Sequence, residues 1–274
     1  MLLRAALLWL ALVGNAAAAD SFAGRPLILT DGRSGAEPAP LVIVLHGFLG
    51  SGAAMQRKTR FDVLARRDGF IAIYPNGTAR RWNLGAQGID DVGYLSALIA
   101  ALVAEGRADP ARIYIAGHSN GGAMALRMAC ARPLLLRGIA VVAMNAPATP
   151  FCTGAGPLAA LFIHGAEDPI VPAAGLSAGR GPVALASVDD TLSQWSARNR
   201  CSGPAQTRIF DQTAGPQTAE ITGYTGCTAD LVHIRLTGHG HEWPGAGPRA
   251  RWVQGPASRE LDASAAVWKF FSAP

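Results

Sequence analysis

The chain has 274 residues, half of them apolar and 16% charged, which excludes an intrinsically disordered polymer and allows a substantial buried core. Its net charge of +5 rests almost wholly on arginine, with Lys58 and Lys269 the only lysines. The basic residues are scattered, paired at Arg66-Arg67 and Arg80-Arg81 but never in a run or interleaved with aromatics, so no nucleic-acid partner is expected.

The N-terminus reads as a leader. A short positive start over residues 1–4 is followed by an apolar run over 5–13 and by four alanines, 16–19, that offer an Ala-x-Ala cleavage site before Asp20. The apolar run is too short to span a bilayer, so a secretory signal peptide over 1–19 is expected and stable membrane insertion is not. That places the mature protein outside the cell or in the periplasm. Residues 20–274 contain no Pro/Ser/Gly linker that would divide them, and suit a single catalytic domain.

Residues 41–45 (LVIVL), bounded by Pro40 and Gly47, form a continuous apolar run of the kind that makes a strand buried on both faces. Residues 54–67 carry Met55, Phe61, Val63 and Leu64 mostly on one helical face. Residues 70–74 read as a second buried strand, ended by the turn Pro75-Asn76-Gly77. A helix over 90–105 starts on acidic residues, as a helix N-terminus favours. Strands at 112–116, 138–144, 158–163 and 231–236 alternate with helices at 120–131, 188–199 and 261–271. A Gly/Ala-rich loop covers 172–182. Alternation of this kind predicts an α/β fold with a mostly parallel central sheet and helices on both faces.

Gly117-His118-Ser119-Asn120-Gly121 is a G-x-S-x-G pentapeptide lying between the strand at 112–116 and the helix that follows. In that setting it is the nucleophile elbow of the α/β-hydrolase fold, and Ser119 is the candidate nucleophile. The flanking glycines are needed because side chains there would collide across the turn. A serine needs a base and a carboxylate to orient that base, in the chain order Ser, acid, His. Asp168, in Gly165-Ala166-Glu167-Asp168-Pro169 after the strand at 158–163, is the candidate acid. Glu167 is expected to face solvent, and Asp189 and Asp190 to begin a helix. His239 and His241, both after the last strand, are the candidate bases. His233 reads as a core residue, and His46 and His164 as structural. The amides of Phe48 and Asn120 are the candidate oxyanion donors. No cofactor is called for, and no third ligand at metal spacing stands near the His239/His241 pair.

Cys130, Cys152, Cys201 and Cys227 form no C-x-x-C pair. For an exported chain they suggest two disulfides, and pairing neighbours, Cys130–Cys152 and Cys201–Cys227, closes two short local loops.

The ordered motifs LHGFLGS from Leu45, IYPNG from Ile73, Trp82-Asn83, DDVGYL from Asp90, GHSNGGAMALRMAC ending at Cys130, HGAEDPIVP from His164 and GHEWPG from Gly240 resemble one family. It is that of the secreted polyhydroxybutyrate depolymerases and feruloyl-esterase-like enzymes, and the resemblance covers most of residues 20–274. It implies a Ser119-Asp168-His241 triad, choosing His241 over His239, and supports the two local disulfides. It also implies hydrolysis of carboxylic esters through an acyl-enzyme. The lack of a linker and polymer- or sugar-binding module points to soluble esters, such as hydroxyalkanoate oligomers or feruloyl and acetyl esters of saccharides. Trp82 and Trp243 are candidates to wall the substrate, and each fits ordinary packing equally well. A serine peptidase of the same fold and a non-catalytic binding protein are the alternatives.

Overall fold

The computed structural model describes residues 20–84, 88–149, 152, 154–179, 183–211, 217–246 and 251–273. The expected leader, 1–19, lies outside them, as do residues 180–182 of the expected loop. In chain order the elements are β1 (Ser21–Phe22), β2 (Arg25–Asp31), β3 (Ala39–Leu45), α1 (Gly52–Thr59), α2 (Phe61–Asp68), β4 (Ile71–Pro75) and α3 (Asp91–Ala104). There follow β5 (Ala108–His118), α4 (Asn120–Ala131), β6 (Gly138–Val142), β7 (Ala159–Gly165) and α5 (Val188–Arg198). The chain ends with β8 (Gln206–Phe210), β9 (Ala219–Gly223), β10 (Leu231–Leu236), α6 (Arg251–Gln254) and α7 (Ala263–Phe271).

Among the described residues the strands form one sheet in the order β1-β2-β4-β3-β5-β6-β7-β10-β9-β8. From β4 to β10 all neighbours run parallel. The pairs outside them, β1–β2–β4 and β10–β9–β8, are antiparallel. Residues 41–45 have no exposed surface, because successive side chains enter two different cores. Leu41, Ile43 and Leu45 pack with residues of α3, α4 and α5, while Val42 and Val44 pack with residues of α1, α2 and α7. Burial on both faces erases the alternation of an ordinary strand, which is why these runs read as continuously apolar. The expected α/β architecture is the one found.

The helix expected over 54–67 is two helices. Arg60 takes a left-handed conformation (φ 54°, ψ 30°), its N–H closing α1 on the Gln56 carbonyl at 2.8 Å. The break re-aims α2 so that Phe61 is fully buried, edge-on to Phe70 and Trp243. β8, exposed at every position, and β2, which buries only Leu27 and Thr30, offered no periodicity to read. Asp90 and Ser187 cap α3 and α5, accepting from Gly93 N–H and Asp190 N–H at 2.7 and 3.0 Å.

The cysteines pair as expected, Cys130–Cys152 and Cys201–Cys227. No described helix is long and apolar enough to cross a membrane. The second disulfide spans 26 residues between the end of α5 and the approach to β10. Replacing Cys201 and Cys227 by Ser is expected to lower stability by about 3 kcal/mol, read as a fall in the urea midpoint with an active fold retained. An unchanged midpoint would contradict it.

Candidate active site

The C-terminal ends of β3, β5, β7 and β10 lie along one edge of the sheet, so the loops after them meet there. This is where an open α/β sheet places its ligands. Those loops carry Phe48, Ser119, Asp168 and His241.

Ser119 sits at the turn between β5 and α4 with φ 54° and ψ −121°, a conformation that costs on the order of 1–3 kcal/mol. It is held by its N–H on the Val142 carbonyl at 2.9 Å and by its carbonyl under Ala123 N–H at 3.0 Å. A Cβ on Gly117 would lie 2.1 Å from the Gly121 carbonyl oxygen, and one on Gly121 would lie 2.4 Å from that of Leu45, so both positions require glycine. The hydroxyl of Ser119 makes no capping bond to α4. Its Oγ instead lies 2.8 Å from His241 Nε2.

Nδ1–H of His241 donates to Asp168 Oδ2 at 2.7 Å, leaving Nε2 to accept from the Ser119 hydroxyl. The other carboxylate oxygen of Asp168 accepts the N–H groups of Ile170 and Val171, each at 2.8 Å. Asp168 and His241 are both buried, and Ser119 is half-buried. The structure thus brings together all three residues expected from the sequence. Glu167 faces solvent as expected, and its carboxylate accepts His239 N–H at 2.9 Å. His239 stands apart from Ser119: Ser258 N–H donates to its Nδ1 and its Nε2–H donates to the Glu242 carbonyl.

The Asn120 amide opens α4, where no preceding helical turn can accept it, and the positive end of the helix dipole lies beside Ser119 Oγ. Gly47 adjoins Ser119, since a Cβ there would lie 3.4 Å from Ser119 Cβ. The next amide, that of Phe48, has no hydrogen-bond partner among the described residues. The Phe48 side chain is 61% exposed and Leu49 55%, and both are apolar groups on this loop.

Of the two readings of Trp82 and Trp243, substrate wall or packing, their burial at 2% and 1% exposed supports packing. Trp243 packs on Phe61 and donates Nε1–H to Ser264 Oγ at 3.0 Å, which makes it part of the core below α7. Trp82 packs on His46 and donates Nε1–H to the His46 carbonyl at 3.0 Å. Both letters fit a substrate wall equally well; only packing separates the roles.

A sequence profile of the family described as esterase PHB depolymerase matches residues 22–147. NocK of Nocardia uniformis subsp. tsuyamanensis, a protein provisionally named an esterase, is 30% identical over 249 residues, covering 82% of this chain and 72% of that one. The chain belongs to the PHB depolymerase esterase family. It is a carboxylic ester hydrolase. Feruloyl esterase C of Emericella nidulans is 28% identical, covering 80% of this chain and 77% of that one. In fold, the chain is similar to an acetyl xylan esterase from Aspergillus awamori, with a TM-score of 0.59 at 17% identity over 80% of this chain and 89% of that one.

His241 is also held by residues to which the sequence reading gave no catalytic role. His118 is buried and donates Nε2–H to the carbonyl of His241 at 2.8 Å. Glu242, the next residue, is buried and paired with Lys58 Nζ of α1 at 2.8 Å. His118, just before Ser119, and Glu242, just after His241, were visible as letters, but only three-dimensional contact shows what they hold.

Burial depresses five histidines: His46, His118, His164, His233 and His239, with His233 lowered to about 4. In the unfolded chain they titrate near 6.5, so below that pH the unfolded state binds more protons and stability rises with pH. The stabilisation is present above about pH 6.5 and is lost as pH falls toward the folded values. Thermal unfolding at pH 5 is therefore expected well below that at pH 7, with a smaller difference in His233→Leu. Equal midpoints at the two pH values would refute this.

Proposed function

We propose that the esterase works through an acyl-enzyme on Ser119, and the observation that carries this is the hydrogen-bonded series Ser119–His241–Asp168, at 2.8 and 2.7 Å. As Ser119 Oγ attacks the ester carbonyl carbon, its proton passes to His241 Nε2. The negative charge that develops on the carbonyl oxygen is received by the amides of Asn120 and Phe48. His241 then returns the proton to the departing alcohol oxygen, the carbon–oxygen bond breaks, and the acyl group remains on Ser119. Water attacks that acyl group while His241 takes its proton, and the acid leaves as Ser119 recovers its hydrogen. Asp168 keeps the His241 proton on Nδ1 throughout, and its own two backbone donors keep it from turning away.

The substrates proposed are soluble esters: hydroxyalkanoate oligomers, or feruloyl and acetyl esters of saccharides. The family match supports the first, and the similarity to a feruloyl esterase supports the second. The exposed Phe48 and Leu49 beside the proposed oxyanion site suit an acyl chain or ring better than a charged group. The two disulfides and the leader-like residues 1–19 support a secreted or periplasmic protein, with 20–274 acting as one catalytic domain.

A panel of nitrophenyl butyrate, methyl ferulate, acetylated xylo-oligosaccharide, hydroxybutyrate trimer and a matched amide tests this, with Ser119→Ala beside the native chain. Ester turnover that disappears in Ser119→Ala is expected, with the amide left intact. Turnover that survives the substitution would remove Ser119 from the mechanism, and cleavage of the amide alone would make the enzyme a peptidase. Asp168→Asn, which presents the wrong tautomer to His241, is expected to lower kcat by about 10⁴-fold with the fold intact.

A further inference from the structure

An N–H group in a peptide bond points opposite to the carbonyl of the residue before it, because the unit is planar and trans. The direction of the Phe48 N–H is therefore set by whatever holds the Gly47 carbonyl. Two donors hold it. Gly50 N–H reaches the Gly47 oxygen at 2.9 Å, and His46 Nδ1 lies 2.8 Å from it. A carbonyl only accepts, so Nδ1 carries the imidazole proton. The other ring nitrogen, Nε2, accepts the N–H of Gly77 at 3.0 Å. Both ring nitrogens are thus engaged in the neutral Nδ1–H form, and burial, the main influence on the ring, lowers its pKa in favour of that form.

Segment 77–82, which His46 grips, also holds the other proposed donor. Asn120 Oδ1 accepts Trp82 N–H at 2.7 Å, and Asn120 Nδ2 donates back to the Trp82 carbonyl at 3.1 Å. Trp82 Nε1–H in turn binds the carbonyl of His46 at 3.0 Å. Arg80 closes the frame, its carbonyl accepting Leu49 N–H at 2.8 Å and its guanidinium reaching the carbonyls of Leu49 and Gly50. The amides of Phe48 and Asn120 come from loops after different strands, and this one segment fixes the distance between them.

We propose that His46 is a positioning residue for oxyanion stabilisation: its Nδ1–H orients the Gly47–Phe48 peptide, and its Nε2 ties that peptide to the segment that holds Asn120. The inference rests on the reading of Phe48 and Asn120 as oxyanion donors. His46 itself touches no reacting atom and acts through the Phe48 amide.

The two bonds can be separated by substitution. In His46→Asn the side-chain amide nitrogen takes the place of Nδ1 and still donates to the Gly47 carbonyl, while the bond from Gly77 is lost. In His46→Gln the side-chain carbonyl takes the place of Nε2 and accepts from Gly77, while the Gly47 carbonyl loses its donor. Both variants are assayed with nitrophenyl butyrate for kcat and KM, and for inhibition by an aryl trifluoromethyl ketone. Attack of Ser119 Oγ on that ketone, with its proton passing to His241, gives a hemiketal oxyanion in the proposed donor site.

His46→Gln is expected to lower kcat toward the 10²–10³-fold loss that removal of one oxyanion donor causes, about the same factor appearing in ketone affinity, with KM unchanged. His46→Asn is expected to retain more of both. Folded variants that match the native chain in kcat and ketone affinity would overturn the proposal, as would a loss that falls on KM alone or equally on both variants. If neither variant folds, ¹⁵N NMR of the native imidazole decides it: a proton on Nδ1 supports the role, and one on Nε2 overturns it. Ser119→Ala separates the two readings. If it stays active and the ketone does not inhibit the native chain, both readings fall. If it is inactive and the ketone inhibits while the His46 variants behave as native, only the role of His46 falls.

Discussion

Between Gly117 and Gly121 the backbone reverses from β5 into α4 so tightly that neither residue has room for a β-carbon, and Ser119 at its apex is held in a conformation few residues adopt. Every other part of the site is arranged around that apex. The turn lifts Oγ clear of its own helix, so the hydroxyl is free to meet His241 rather than cap α4. It also brings the first amide of the helix alongside Oγ. The strain persists because the ends of the turn are bonded into β6 and α4, whose packing in the two cores far outweighs it.

A strained apex needs rigid partners, and the parallel sheet supplies them. The loops after β3, β5, β7 and β10 are each tied to a neighbour by hydrogen bonds from buried side chains. His118, on the nucleophile strand, holds the carbonyl of His241. His164, on the acid strand, donates Nε2–H to Val171, whose own N–H binds Asp168. His239 holds Ser258 and Glu242, and His46 holds Gly47 and Gly77. His46 and His239, each of which accepts an N–H on one ring nitrogen, work only in the neutral form, and burial favours that form in all four rings. The same desolvation that keeps the site ordered at neutral pH thus makes the fold sensitive to acid.

Much of this was legible in the letters. The G-x-S-x-G turn between a strand and a helix points to Ser119 as the proposed nucleophile, because few local contexts require glycine at both flanks. Asp168 follows from its place after a buried strand. His241 did not follow from spacing, since His239 lies in the same loop with the same neighbours; the family resemblance chose it, and the structure brings it to Ser119 while His239 bonds elsewhere. The letters left Trp82 and Trp243 open between wall and packing, because a tryptophan near a site is as readily a pillar as a wall. The break at Arg60 was not legible, since arginine carries no preference for the left-handed region that would announce it.

The sequence alone determined the buried parallel strands and the position of the proposed nucleophile and acid along them, and it favoured the pairing of cysteines that lie close in the chain. These are local or nearest-neighbour properties: periodicity, glycine at a tight turn, short loops. Only the tertiary structure decided what His239 bonds in place of Ser119, which side chains hold the Gly47–Phe48 peptide, and that both tryptophans are packed inside. Several of those contacts join residues 31 to 122 positions apart. Whether such residues meet depends on how the strands are ordered in the sheet and how the loops at their ends pack, information that no window of sequence contains.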